Sequence, residues 1–284
     1  MFDRRGLAGA VAAAMGVLAL APRRAAAQSA APAPGESTMD RVRRTRKLRI
    51  SVLPGEAPFF IKDPLSGAWS GAAIDMAHSI ASAIDAELVF VEATYASSVL
   101  DLETNKSDLA FALNPTPQRA LAIGFTLPYF QHPFGYVSRP GFPAKTWADL
   151  NDPKIRAVSL IGSLTDVLLE RYAPKAQRVE VKGGADGILM LQAGRADCIV
   201  YALIQALSVT AREPAFSQVT LLRQPFIALP SAMGIQEEPD RRWRDFLNSW
   251  TEYNVGTRRL NAWIRAALLK MGISPSAIPA DSDL

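Results

Sequence analysis

Asn105-Lys106-Ser107-Asp108-Leu109-Ala110-Phe111-Ala112-Leu113 is echoed in the second half of the chain by Gly194-Arg195-Ala196-Asp197-Cys198-Ile199-Val200-Tyr201-Ala202-Leu203. Each stretch reads as a helix end, a small-basic-x-Asp turn and an apolar strand closing on Ala-Leu. Ile155 to Leu160 likewise echoes Leu48 to Leu53. An internal repeat of this kind predicts two similar lobes rather than one large domain.

Working outward from the first copy, Lys47 to Leu53 alternates in period two and predicts a strand. A Pro-rich loop through Pro54 and Pro58 follows, then a hairpin around Asp63 to Gly67. Asp75 to Ile84 predicts a helix with Met76, Ile80 and Ile84 on one face. Glu87 to Glu92 reads as a strand, Ala96 to Thr104 as a helix, and Asp108 to Leu113 as a strand ending at Asn114-Pro115. Strands alternating with helices predict an α/β fold with a mainly parallel sheet. Phe134 to Ser138 and Leu229 to Ile235 read as crossovers between the lobes. Trp243, Phe246, Leu247 and Trp250, then Leu260, Trp263, Ile264 and Leu268, recur at helical spacing in the tail from Arg241 to Met271. These stripes read as core. The expected boundaries are 38–133 plus 229–284 for the first lobe and 134–228 for the second.

Arg4 and Arg5, the apolar run Leu7 to Ala21, and Ala25-Ala26-Ala27 give residues 1–27 the three regions of a signal peptide. The Arg pair points to twin-arginine export, although Asp3 stands where Ser or Thr is usual. Residues 28–37 read as a flexible Pro/Ala tether. The whole chain carries a net charge of +4, and residues 1–27 hold four Arg and one Asp, so the remainder carries +1. No basic field is left for nucleic acid. The run Arg41 to Lys47 reads as a solvated helix capped by Ser37 or Thr38.

Most catalytic inventories fail. Two histidines and one cysteine give no structural zinc set, and there is no phosphate loop, G-x-G-x-x-G or G-x-S-x-G. Cys198, in an apolar strand, reads as inert packing. His78 reads as structural, and His132 lies near the lobe junction. No metal or cofactor is expected. What remains is a set of residues at strand ends, where open α/β sheets bind ligands. These are Glu56 and Phe59 after the first strand, Tyr95 after the third, Asn114 with Arg119 five residues on, and Gly162-Ser163 ahead of a helix. A helix start offers N–H groups to an anion, and an Arg fork matches a carboxylate. The alternative for Arg119 is a structural salt bridge.

The run Asp108 to Arg119, ending Asn114-Pro115-Thr116-Pro117-Gln118-Arg119 and continued by Gly124-Phe125-Thr126-Leu127-Pro128-Tyr129, resembles the signature of family 3 bacterial extracellular solute-binding proteins. That signature is D-[aliphatic]-x-x-x-G-M-T-x-T-x-E-R followed by F-S-x-P-Y. Lys47 to Ile50, Pro58-Phe59, Gly71 to Asp75, Gly162-Ser163, Gly194 to Asp197 and Gly256-Thr257 extend the likeness over residues 38–265.

The resemblance implies a type II periplasmic-binding-protein clamshell, each lobe a mixed sheet flanked by helices, closing on a ligand. It implies a periplasmic monomer that delivers a carboxylate-bearing solute, an amino acid or related organic acid, to an ABC-importer permease without catalysis. By position, Arg119 would grip the α-carboxylate, Phe59 and Tyr95 would wall the pocket, and Asn114 and Ser163 would hydrogen-bond the ligand.

This sequence departs from the family where Ala202 replaces the Asp that pairs with the ligand ammonium. Leu164 follows Gly-Ser where a small hydroxyl is frequent, Leu53 replaces a frequent acid, and Ala112 replaces the Gly of G-M-T. Either Glu56 supplies the missing charge or the ligand lacks an α-ammonium. Two further roles stand beside delivery. Similar clamshells include cyclohexadienyl dehydratases, for which Glu56 and His132 are the acid or base candidates here, and some relatives accompany quinoprotein dehydrogenases.

Overall fold

The computed structural model describes residues 35–216 and 219–278. The expected signal peptide and residues 28–34 of the tether lie outside the described residues. The end of the tether is held in place: Glu36 pairs with Arg44 at 2.7 Å, and Ser37 accepts the Asp40 N–H at 3.2 Å as the cap of the first helix.

In chain order the elements are α1 (Thr38–Thr45), β1 (Lys47–Val52), β2 (Ile61–Lys62), β3 (Trp69–Ser70), α2 (Ala72–Ala83), β4 (Glu87–Glu92), α3 (Tyr95–Glu103), β5 (Leu109–Leu113), α4 (Pro117–Ala120) and β6 (Gly124–Phe125). There follow β7 (Phe130–Ser138), α5 (Trp147–Leu150), β8 (Arg156–Leu160), α6 (Leu164–Tyr172), β9 (Gln177–Val181), α7 (Gly184–Gln192), β10 (Cys198–Ala202), α8 (Leu203–Arg212), β11 (Thr220–Leu221), β12 (Ala228–Ile235), α9 (Arg242–Gly256) and α10 (Arg259–Lys270).

Apart from the β2–β3 hairpin, the strands run in the order β4-β1-β5-β12-β7-β10-β8-β9, with β6 beside β12 and β11 beside β7. The order is a palindrome of roles. β1 lies parallel between β4 and β5, and β8 lies parallel between β9 and β10. Each group is closed by an antiparallel strand, β12 on β5 and β7 on β10. The start of β7 (Phe130 to Pro133) pairs with the start of β12 (Ala228 to Ser231) before the two strands part into different halves. The segments expected as crossovers, Phe134 to Ser138 and Leu229 to Ile235, lie within β7 and β12.

The sequence echo has a physical cause. In the first half the Arg49 N–H donates to Asp108 Oδ2 at 2.7 Å, the Asp108 N–H returns a bond to Arg49 O at 2.8 Å, and Arg49 Nη2 meets Asp108 Oδ1 at 2.6 Å. In the second half Arg156 and Asp197 repeat all three contacts at 2.8, 2.8 and 2.6 Å. An Asp at the mouth of β5 or β10 thus satisfies the first free N–H of the neighbouring strand, and an Arg neutralises it. The twins differ in depth. Asp108 is fully buried and is also paired by the buried Arg41 of α1, whereas the Asp197 side chain is 17% exposed.

The tail helices return to the first half. Trp243, Leu247, Trp250, Leu260, Ile264 and Leu268 are buried, Trp243 donates to Asp108 O at 3.2 Å, and Trp250 stacks on Trp263 with centroids 6.0 Å apart. Cys198 is buried in β10, where desolvation pushes its thiol pKa up, as inert packing requires. His78 is exposed on α2.

Candidate ligand cleft

The strand ends of both halves face one another across a seam. Between them lies a cavity of about 20 Å³, lined by Glu56, Tyr95, Ala112, Asn114 and His132 on one side and by Phe134, Leu160, Ser163, Leu164, Thr165, Tyr201, Ala202 and Gln205 on the other. That volume holds about one water-sized group, so a larger molecule enters it only when the halves separate or side chains move. Two glycines permit the close approach. A Cβ on Gly162, which also sits at φ +74°, would lie 2.8 Å from the Ala96 Cβ, and one on Gly184 would lie 3.1 Å from Glu56 Oε1.

Among the described residues, Glu56 is the one carboxyl that lines this cavity. It is 4% exposed, Tyr95 Oη donates to its Oε2 at 3.0 Å, and Gln205 Nε2 donates across the seam to Tyr95 Oη at 3.1 Å. Its Oε1 lies over the Gly184 backbone without a hydrogen bond of ordinary geometry. Burial pushes the carboxyl up to about 7, against the opposing pull of the Tyr95 bond. Gln205 Oε1 is likewise buried and unpartnered.

His132 is buried between Phe130 and Phe134, with ring centroids 5.5 and 5.3 Å away. Desolvation pushes it down to about 4, so it is neutral near pH 7. The Asn114 amide Nδ2 lies 3.3 Å from His132 Nε2 and donates to Pro230 O at 2.7 Å.

Arg119 stands at the edge of the cavity rather than in its lining. Nη1 donates to Asn114 O at 2.9 Å, and Nη2 donates across the seam to Gly162 O at 2.8 Å. The expected alternative of a salt bridge is therefore replaced by two carbonyl bonds. Ser163 bonds Thr165 Oγ1 at 2.8 Å and makes no side-chain cap, which leaves the first N–H groups of α6 without a side-chain acceptor.

Of the residues expected from sequence, Glu56, Tyr95, Ala112, Asn114, Ser163, Leu164 and Ala202 share the cavity. Phe59 does not. Its carbonyl accepts the Ala73 N–H at 3.1 Å to cap the start of α2, and its ring is 1% exposed in the core. Gln205, Tyr201, Thr165, Leu160 and Phe134 were not expected. The signal for Phe134 was available, because Phe130, His132 and Phe134 alternate on one face of a strand.

Ala112 carries the family's glycine position at φ +58°, beside a register shift between β5 and β12. A left-handed alanine costs roughly 1–2 kcal/mol. Ala112→Gly should therefore raise stability by about 0.5–1 kcal/mol after the entropy cost of glycine, read as a shift in the urea midpoint at constant slope. An unchanged or lower midpoint would show that the Ala112 methyl packing outweighs the strain.

Among the described residues no helix is long and apolar enough to cross a membrane, and no group of three or more His, Cys, Asp or Glu could hold a metal ion.

The fold is shared with solved binding proteins. An amino acid ABC transporter substrate-binding protein, AbpA of Streptococcus pneumoniae bound to L-arginine, matches with TM-score 0.75 at 18% identity, over 82% of this chain and 98% of that one. The solute receptor for L-cysteine of Neisseria gonorrhoeae matches with TM-score 0.75 at 21% identity, over 85% and 98%. The ancestral amino acid-binding protein AncCDT-1, a precursor of cyclohexadienyl dehydratase, matches with TM-score 0.71 at 22% identity, over 83% and 99%. All three support the two-lobed type II fold. Among curated proteins, the virulence sensor protein BvgS of Bordetella pertussis is 28% identical over 162 residues, 56% of this chain. The aligned part is 13% of the length of BvgS. Residues 48–272 match the family profile itself, and the chain belongs to the bacterial extracellular solute-binding proteins, family 3.

Proposed function

We propose that this protein binds a small amino acid between lobes formed by residues 38–133 plus 229–284 and by residues 134–228, and hands it to an ABC-importer permease. In this reading residues 1–27 direct export to the periplasm and the protein works as a monomer without catalysis. The observation that carries the choice of ligand is the Glu56 carboxyl, buried in the seam with Oε1 unpartnered. A carboxylate there calls for a cation, so Glu56 replaces the Asp missing at Ala202 as the ammonium site. Arg119 and the start of α6 take the carboxylate, Asn114 and Ser163 lie between, and Tyr95 holds Glu56 in place. Leu164 and Ala202 leave that side of the cavity apolar.

The test is thermal unfolding of protein stripped by unfolding and refolding, against amino acids, their decarboxylated amines and their deaminated acids. A ligand at a hundredfold over its Kd stabilises by about 2.7 kcal/mol, a shift of several degrees at this size. Amino acids should shift the wild type, and Glu56→Gln should lose that response. A response confined to deaminated acids refutes the ammonium site.

One observation favours a second reading, elimination chemistry on an acidic substrate. Glu56 and His132, each with a buried unpartnered atom, line the same cavity. Turnover of prephenate or arogenate would establish it.

A further inference from the structure

We propose that closure of the two halves over Glu56 is coupled to protonation of its carboxyl, so that in the absence of a cationic ligand a proton closes the clamshell. The inference rests on the reading above only in that this seam is the one that opens.

The geometry places Glu56 where closure and desolvation are one event. From its own half, α3 contributes Tyr95, whose hydroxyl holds Oε2. The remaining cover comes from the other half. The Gly184 backbone at the start of α7 lies against Oε1, Tyr201 of β10 donates to Gly184 O at 3.4 Å, and Gln205 of α8 reaches Tyr95 at 3.1 Å. Separating the halves removes these three elements together and returns the carboxyl to water.

The charged and titratable groups around Glu56 do not neutralise it. Tyr95 and Tyr201 are neutral, their pKa values raised first by burial. His132 on β7 is held neutral by desolvation. Arg212 on α8 favours the carboxylate through its charge, but burial outweighs it. Glu92, Lys182 and Asp186 line a separate outer groove of about 420 Å³ that also reaches Glu56 and Tyr95, and they bring two acids against one base. The closed seam therefore prefers a carboxylic acid, or a carboxylate with a ligand cation beside it.

The sign follows from linkage. The carboxyl is raised to about 7 when covered and takes its ordinary value of 4.5 when solvated. The closed form therefore binds the proton more tightly, and closure is favoured as pH falls. That advantage is complete below the solvated value and is lost as pH rises through the covered one. Across the whole window the closed-to-open ratio changes by roughly two orders of magnitude, about tenfold per unit.

The experiment uses the stripped full chain with protons as the only probe. Labels on His78→Cys (α2) and Leu189→Cys (α7), both exposed positions, report the distance between halves by single-molecule energy transfer from pH 5 to pH 8.5. The expected result is progressive opening as pH rises, with Glu56→Gln, a neutral isostere, showing no such titration. A wild type that does not open with pH, or a Glu56→Gln variant that follows the wild-type titration, overturns the proposal. If the variant folds poorly, carboxyl NMR of the wild type decides. A Glu56 resonance titrating near 7 in the closed form supports the coupling, and one titrating near the ordinary value refutes it. A protein that binds amino acids but whose closure ignores pH fails only this inference; one that opens with pH yet binds no amino acid fails only the earlier reading.

Discussion

Asp108→Ala should lower the unfolding free energy by about 3–5 kcal/mol, the usual cost of leaving a buried partner charge uncompensated. It strands the Arg41 guanidinium, which is 4% exposed, together with Arg49, and it removes the acceptor for the Arg49 N–H at the start of β1. The melting temperature should fall by on the order of 10 °C. Asp197→Ala removes the same contacts from β8, but Arg156 is 35% exposed and can return to water. Its cost should be roughly 1–2 kcal/mol, nearer the value of an ordinary charge-assisted hydrogen bond. Urea denaturation of the two variants makes the comparison. Equal losses would mean that the backbone contact, common to both, matters and the depth of the charge does not.

That pair of aspartates also shows how the fold could be read from sequence. The small-basic-x-Asp turn before an apolar strand, twice, is a local sequence pattern, so the repeat was legible. The Arg partners, Arg49 on β1 and Arg156 on β8, stand 59 and 41 residues earlier and were not. The Trp stripes of α9 and α10 were legible in the same way as the repeat. What sequence could not give was which loop side chains turn inward. Phe59 lies three residues from Glu56, yet its loop carbonyls are needed by the first N–H groups of α2, and that requirement rotates its ring into the core. Glu56 goes the other way, into the seam. Gln205 was invisible because the apolar run ending at Leu203 gave no sign that α8 starts there without a loop. With Ala202 as the N-cap residue, Gln205 falls on the first turn and faces Tyr95 across the cleft. The family glycine replaced by Ala112 was legible as a departure, but its left-handed backbone was not, because a β-strand pattern hides a single positive φ.

Arg119→Ala should weaken amino-acid binding by at least about a hundredfold, or about 2.7 kcal/mol, within the cost of truncating one partner of a charge pair that the bound ligand would bury. A guanidinium has five N–H groups. The bonds to Asn114 O and Gly162 O use two of them and fix its plane, leaving three for a carboxylate. Arg119→Lys keeps the charge but cannot serve two carbonyls and a carboxylate fork together, so it should recover only part of the affinity. Loss of binding alone would not separate a carboxylate anchor from a strut, since the Gly162 bond crosses the seam and helps hold it closed. A decarboxylated amine separates them. If Arg119 grips the carboxylate, wild type and Arg119→Ala should bind the amine alike while differing a hundredfold on the parent amino acid. That difference is the coupling energy of a double-mutant cycle drawn between residue and ligand group. If the substitution weakens amine and amino acid by the same factor in isothermal titration, Arg119 acts only as the strut between Asn114 and Gly162.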